Sequence, residues 1–342
     1  MRESLRQLAP YVTTKARGLP LHLNTNRLGV NPVIQRASQL LEKIDLSIYA
    51  DRDAMPLRQA LATHYDLGPE YFLAGNGSDE VFDLIFKTYL NPDETVAYPG
   101  PTYSMYRHYA LTNGANAVEV PLDEAFDLKA QALVKTKAKL LVLCTPNNPT
   151  GNTLHAQSIE KVLRSGQLVV IDEAYAEFGG HDWIRAVRDF PNLMVVRTFS
   201  KAYGLAGLRV GYVVANPKLI EPIELVRLPF NLNAFSQALA AEALREQEFV
   251  RAYTRLIREE RPRWAETLTE RGFHVWPSQA NFLLVAMPDG VERDLFVAEL
   301  ETKGVLVRTL GEHPRLRECV RITVGTPDDR AILLKAIDEV LP

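Results

Sequence analysis

From about residue 71 to residue 214, short apolar runs alternate with turn signals and helix-like stretches, a rhythm that a layered α/β sheet satisfies. Strands are predicted at Tyr71–Ala74, Thr95–Tyr98, Ala117–Val120, Lys139–Cys144, Gln167–Ile171, Met194–Thr198 and Arg209–Val214. Most of these runs are continuously apolar rather than alternating, as strands covered on both faces should be. From Asn233 to about Arg271 the chain is rich in Ala, Glu, Leu and Arg and lacks glycine, which predicts a long helical stretch kinked near Pro262. Beyond it, strand-like runs at His274–Trp276, Phe282–Val285, Val305–Arg308 and Val320–Thr323 alternate with helices around Val291–Lys303 and Asp328–Val340. At 342 residues the chain exceeds one ordinary core, so a large domain and a smaller α+β domain are expected. The N-terminal segment is expected to join the smaller one.

Composition narrows the function classes. A net charge of -3, with no block of like charges, gives no general attraction to nucleic acid or to anionic membranes. No apolar run approaches the length that spans a bilayer. The two cysteines, Cys144 and Cys319, have neither metal nor redox spacing, and no signal segment opens the chain, so a cytoplasmic location is expected. The seven histidines show no paired metal spacing. Small-molecule partners are favoured.

Open α/β sheets bind ligands beyond the carboxyl ends of their strands. Directly after the run Met194–Thr198, Lys201 and Arg209 stand eight residues apart. A lysine amine can condense with an aldehyde, and an arginine fork can grip a phosphate. After Tyr71–Ala74 comes Gly75-Asn76-Gly77-Ser78-Asp79-Glu80, readable as a phosphate-binding helix N-terminus or as a plain capped turn. Thr145-Pro146-Asn147-Asn148-Pro149-Thr150-Gly151 is either a tight turn or a source of amide donors for a phenolate oxygen. Asp172, in Asp172-Glu173-Ala174-Tyr175, emerges from an apolar strand and needs a cationic partner, either a local arginine or a protonated pyridine nitrogen. Tyr103, following another strand, suits a cofactor ring or a buried core. Gly204-Leu205-Ala206-Gly207 lacks the G-x-G-x-x-G order of dinucleotide binders.

Taken together, these segments resemble the fold-type I, aspartate-aminotransferase-like family of pyridoxal-phosphate enzymes over nearly the whole chain. The most specific pieces are Asn147 to Gly151, Asp172 to Tyr175, Ser200 to Arg209 and Val320-Arg321-Ile322-Thr323-Val324-Gly325-Thr326. The resemblance implies an α/β fold with a large domain built on a mostly parallel seven-stranded sheet. It divides the chain into an N-terminal arm (1–30), a large cofactor-binding domain (31–240) and a small C-terminal domain (241–342). It implies that Lys201 bonds the cofactor aldehyde and acts as general acid and base, that Asp172 pairs with the ring nitrogen, and that Asn148 and Tyr175 bond the ring oxygen. Tyr103 would stack on the ring. The backbone at Ser78 and Asp79, the Ser200 hydroxyl and Arg209 would hold the cofactor phosphate. Tyr49 matches a tyrosine that reaches the partner subunit's site, which makes a homodimer part of the expectation; an exposed loop tyrosine is the alternative.

For the substrate, the resemblance turns both Arg308 and Arg321 toward the cleft, thirteen residues apart. A guanidinium fork accepts phosphate and carboxylate oxygens in similar geometry, so the pair can serve a phosphorylated amino alcohol and glutamate or 2-oxoglutarate in turn. The alternative for Arg308 is a surface residue of an edge strand. Tyr11 matches a tyrosine near the substrate phosphate, or it packs on the surface. The chain departs from the family at Leu23-Asn24-Thr25-Asn26-Arg27, where a glutamate and a proline are common. A broad aromatic aminotransferase and a decarboxylase of phosphorylated amino acids would use nearly the same cofactor residues.

Overall fold

The computed structural model describes residues 3–8, 17–311 and 313–341. Its strands in chain order are β1 (Leu19–Pro20), β2 (Phe72–Asn76), β3 (Thr95–Gly100), β4 (Asn116–Pro121), β5 (Leu140–Cys144), β6 (Leu168–Asp172), β7 (Leu193–Thr198), β8 (Val210–Ala215), β9 (His274–Val275), β10 (Phe282–Ala286), β11 (Val305–Leu306), β12 (Arg308–Thr309) and β13 (Cys319–Thr323). The seven expected strands form one seven-stranded sheet in the order β2-β8-β7-β6-β5-β3-β4. Only β8 runs against its neighbours in it. The cause is chain length. Parallel neighbours need a crossover of a dozen or more residues, whereas residues 199–209 make a short link that favours a direct antiparallel return. That return puts Lys201 and Arg209 at the same edge of the sheet.

The continuous apolar runs are explained by cover on both faces. Leu141, Leu143, Val169, Ile171 and Val195 point to one side, where they join Leu57 and Leu61 of the helix Met55–Tyr65 and Leu239 and Ala243 of the helix Ala234–Arg245. The alternate residues Leu140, Val142, Val170, Met194 and Val196 face the other side, against Phe82 and Ile85 of the helix Ser78–Tyr89, Tyr106 and Ile220. This is the two-residue period of a strand with no polar face.

The long helical stretch is interrupted at Glu246 (φ −98°, ψ 68°), not at Pro262, which lies inside the second helix, Gln247–Thr269. The break lets each piece serve a different layer. Ala234–Arg245 packs on Met55–Tyr65 beside the large sheet, and Gln247–Thr269 packs against β9 and β10. The smaller sheet is antiparallel, in the order β12-β13-β10-β9. The run expected as one strand over Val305–Arg308 is split at Val307. Its first half, β11, pairs with the N-terminal β1, and its second half, β12, pairs with β13. The N-terminal segment thus joins the C-terminal structure through its backbone, as expected.

Candidate active site

The carboxyl ends of β2, β3, β5, β6 and β7 meet at one edge, where a cavity of about 700 Å³ opens. Its far wall is made by Arg308 of β12 and Arg321 of β13, and its roof by His22, Leu23 and Thr25. Eleven of the thirteen residues singled out from the sequence line this cleft. Tyr49 does not: it is 79% exposed and stacks on Phe230, ring centroids 4.6 Å apart. Tyr11 lies outside the described residues.

Lys201 sits half-buried in the cleft wall, with Nζ donating to the Leu23 carbonyl oxygen (3.0 Å) and 5.6 Å from the centre of the Tyr175 ring. Burial, and then the positive charge of Arg321, push its pKa down to about 7. An amine so placed has a substantial neutral fraction at physiological pH, the form that attacks an aldehyde.

Asp172 ends β6 with its carboxylate buried. The Tyr106 hydroxyl donates to Oδ2 (2.6 Å) and the Ala174 amide to Oδ1 (3.1 Å). Burial raises its pKa to about 6, and these two donors hold it back from going higher. A carboxylate kept ionised this narrowly gains from a cationic ring nitrogen. Tyr175 takes a hydrogen bond from Asn24 Nδ2 (3.0 Å), and burial pushes its phenol up to about 12. Asn148 accepts from Arg321 Nη1 on its Oδ1 (2.6 Å), leaving its amide NH₂ as the group it can offer to a phenolate oxygen. Tyr103 lies edge-on to Tyr106, centroids 5.6 Å apart, and its hydroxyl donates to Asp79 (3.3 Å).

The fourth element is an anion cradle. The helix Ser78–Tyr89 begins after Gly77, with no side chain capping its first N–H groups. Those groups and the helix dipole favour a phosphate there. Gly77 has φ +84°, and a Cβ on it would stand 2.5 Å from Arg209 Nη2; a Cβ on Gly211 would stand 2.3 Å from the Ser78 nitrogen. The glycines let strand, helix end and guanidinium close around one point. Asp79 Oδ2 accepts from Arg209 Nη2 (2.8 Å) and Oδ1 from the Tyr109 hydroxyl (2.7 Å), so its side chain orients the arginine. Ser200 lies alongside, its Oγ bonded by the Thr198 hydroxyl (3.0 Å). An aldehyde-capturing amine, a carboxylate for a ring nitrogen and an uncapped helix end fit a phosphorylated pyridine aldehyde.

Arg308 and Arg321 are direct partners in the antiparallel register of β12 and β13. Directly opposed residues share a face, so both guanidinium groups belong to the same wall. Like charges held opposite one another favour an anion between them. Arg321 is further tied by Nη2 to the His22 carbonyl oxygen (2.8 Å) and lies 5.3 Å from the Phe282 ring centre.

The sequence reading missed Tyr106, Tyr109 and Asn24. Tyr106 and Tyr109 sit three apart on the helix Met105–Thr112 and read as an apolar face, which they also are. Nothing local reveals that their hydroxyls end on Asp172 and Asp79. Asn24 has φ +54°, an unusual conformation for a non-glycine residue that asparagine tolerates, and it bridges three parts of the chain. Its side chain reaches Tyr175, its N–H donates to Thr323 Oγ1 (3.0 Å), and its carbonyl oxygen accepts from Asn281 (3.1 Å).

Residues 16–337 match the family described as aminotransferase class I and II. A histidinol-phosphate aminotransferase of Ruminiclostridium cellulolyticum is 35% identical, over 98% of this chain and 96% of its own length. Among solved structures, the histidinol-phosphate aminotransferase of Sinorhizobium meliloti, crystallised with pyridoxal-5'-phosphate, superposes with a TM-score of 0.90 at 26% identity, covering 99% of this chain and 97% of that one. The L-threonine-O-3-phosphate decarboxylase of Porphyromonas gingivalis shares the fold, with a TM-score of 0.82 at 24% identity, covering 94% and 98% of the two chains. The chain belongs to the class I and II aminotransferases, enzymes that work with pyridoxal phosphate.

Proposed function

We propose that this chain exchanges an amino group between L-histidinol phosphate and 2-oxoglutarate, a reaction of histidine biosynthesis. The carrying observation is the Arg308–Arg321 pair, opposed across β12 and β13 on the wall of the cleft that holds Lys201. One substrate of this reaction offers a phosphate and the other two carboxylates, and two guanidinium forks can address both. The two histidinol-phosphate aminotransferases named above point the same way.

When bound, pyridoxal phosphate supplies an aldehyde carbon that carries the amino group and a ring that withdraws electrons. Asp172 would pair with the ring nitrogen and keep it protonated, with Tyr106 and Ala174 donating to the carboxylate. Asn148 and Tyr175 would donate to the ring oxygen, and Tyr103 would cover the ring. The amides of Ser78 and Asp79, the Ser200 hydroxyl and Arg209 would grip the phosphate. Lys201 Nζ would hold the aldehyde carbon. As a free amine beside the substrate, it would take and return the proton at the substrate's α-carbon. Arg321 takes the α-carboxylate of glutamate and Arg308 the distal one, and both clamp the phosphate of the other substrate.

Incubation with histidinol phosphate and 2-oxoglutarate, followed by glutamate assay, tests this reading. Carbon dioxide released from a phosphorylated amino acid would instead mark a decarboxylase. Turnover of phenylalanine equal to that of histidinol phosphate would mark a broad aromatic aminotransferase.

A homodimer belongs to the same proposal. Tyr49 lies with Leu46 and Ile48 on one exposed segment, Leu225 and Leu228 are exposed near its stacking partner Phe230, and exposed apolar side chains of this kind are what an interface covers. Tyr49 then reaches the cofactor phosphate of the partner subunit. Among the described residues no helix is long and apolar enough to cross a membrane. Free, buried Cys144 and Cys319 suit the cytoplasm.

A further inference from the structure

His22 stands on the roof of the cleft, beside the arginine pair. The residue is only 7% exposed, and its Nδ1 has no hydrogen-bond partner among the described residues. Its own carbonyl oxygen is held by Arg321 Nη2 (2.8 Å), which ties the histidine's backbone to the arginine. Buried polar nitrogens are ordinarily satisfied; His22 lines the cleft, so although Nδ1 is covered as it stands, a turn of the imidazole would let a ligand in the cleft complete its bonding. Burial, and then the charges of Arg308 and Arg321, lower the pKa of the imidazole. It is therefore a neutral ring at physiological pH, with one N–H to give.

Resting on the substrate reading above, we infer that His22 is a specificity-determining residue that donates to the third terminal oxygen of a substrate phosphate, beside the two arginine forks. A phosphate monoester presents three terminal oxygens in a tetrahedral array, whereas a carboxylate presents two in a plane. Arg308 and Arg321 suffice for the carboxylates of glutamate. The imidazole is the extra donor that only the phosphorylated substrate uses. A neutral donor fits this position, because a third full positive charge would attract the carboxylates of glutamate as well and lessen the distinction between the substrates.

The test uses the intact holoenzyme, in which the cofactor's own phosphate cradle is filled. His22→Phe keeps a ring and the backbone carbonyl while removing both nitrogens, and His22→Asn returns a donor near the Nδ1 position. His22→Phe is expected to raise KM for histidinol phosphate about tenfold or more, the effect of losing a hydrogen bond to a charged group. KM for glutamate should change less than about twofold, and His22→Asn should recover most of the loss. Calorimetric titration with inorganic phosphate should show the same ranking without turnover. An unchanged KM for histidinol phosphate in His22→Phe, or equal losses for both substrates, overturns the role of His22. Absence of wild-type turnover with histidinol phosphate overturns the substrate reading instead, and the phosphate titration then decides on His22 separately.

Discussion

At the scale of single residues, the lysine and the aspartate of the cleft are tuned by what surrounds them, and both tunings can be measured. In its proposed role Lys201 acts as nucleophile only as a free amine, and its pKa of about 7 sets where that form appears. The rate at which cofactor-free protein develops its visible absorption band on adding pyridoxal phosphate should rise with pH to a plateau, with a midpoint near pH 7. A midpoint close to the ordinary lysine value of 10.5 would contradict the burial argument. Borohydride should abolish that band, and Lys201→Ala should never form it. The same variant should lose about 10²–10⁴-fold or more in transamination, the range of a removed acid–base group. For Asp172, the donor is Tyr106. Removing its hydroxyl in Tyr106→Phe takes away a group that favours the carboxylate, so the pKa rises further above 6. Cofactor affinity should fall about tenfold, judged from a hydrogen bond to a charged group. The deficit should be wider at pH 6 than at pH 8, because more of the variant's Asp172 is protonated there. Lys201, Asp172 and Asn148 were legible in the sequence because each directly follows an apolar strand. Tyr106 and Asn24 were not, because their hydrogen bonds run across 66 and 151 residues of chain.

At the scale of elements, the site depends on how closely secondary structures approach. Gly211 of β8 lies where a Cβ would meet the Ser78 backbone nitrogen at 2.3 Å, so Gly211→Ala must push the helix Ser78–Tyr89 away from the sheet. Overpacking of this kind costs about 1–3 kcal/mol, and here it also spoils the phosphate cradle. The variant should melt earlier and bind the cofactor more weakly, as seen by calorimetry and by a visible-band titration. A second element-scale contact is the Arg27 fork on Asp329, 2.7 and 3.0 Å, which ties the roof segment to the helix Pro327–Val340. Asp329 also completes the capping box of that helix with Thr326. Burial alone would raise the pKa of Asp329, but the Arg27 fork and the Thr326 amide outweigh it and hold the carboxylate below its ordinary value of 3.8. A depressed acid contributes stability above its unfolded pKa and loses it as pH falls through the folded one. Arg27→Ala should therefore cost about 1 kcal/mol at neutral pH, given that the pair is only partly buried, and the difference from wild type should shrink in acid below about pH 4. Thermal melts across pH check this. Arg27 stood out in the sequence only as a departure from the family pattern; its partner lies 302 residues away.

At the scale of the whole molecule, the proposed dimer makes a prediction that one chain cannot satisfy. Sedimentation should show two copies, and Tyr49→Ala should weaken cofactor binding without touching the cleft of its own chain. Mixing Tyr49→Ala with Lys201→Ala protein and allowing subunits to exchange should restore measurable transamination, since each hybrid holds one site with both residues intact. No recovery from verified hybrids would show that Tyr49 serves its own subunit or none. The sequence by itself determined the α/β layering, the strand ends and the chemical types gathered there, because apolar period, turn residues and strand-end polar groups are local properties. The tertiary structure alone decided that β8 returns antiparallel and brings Arg209 back beside the Ser78 helix. It also decided that the run at Val305 splits between two sheets, that Arg308 comes to oppose Arg321, and that His22 is buried beside them. Those outcomes depend on register and on packing between distant segments, and neither is written in any local stretch of sequence. The lysine after β7 identifies the chemistry of this chain, and the fold sets what surrounds it.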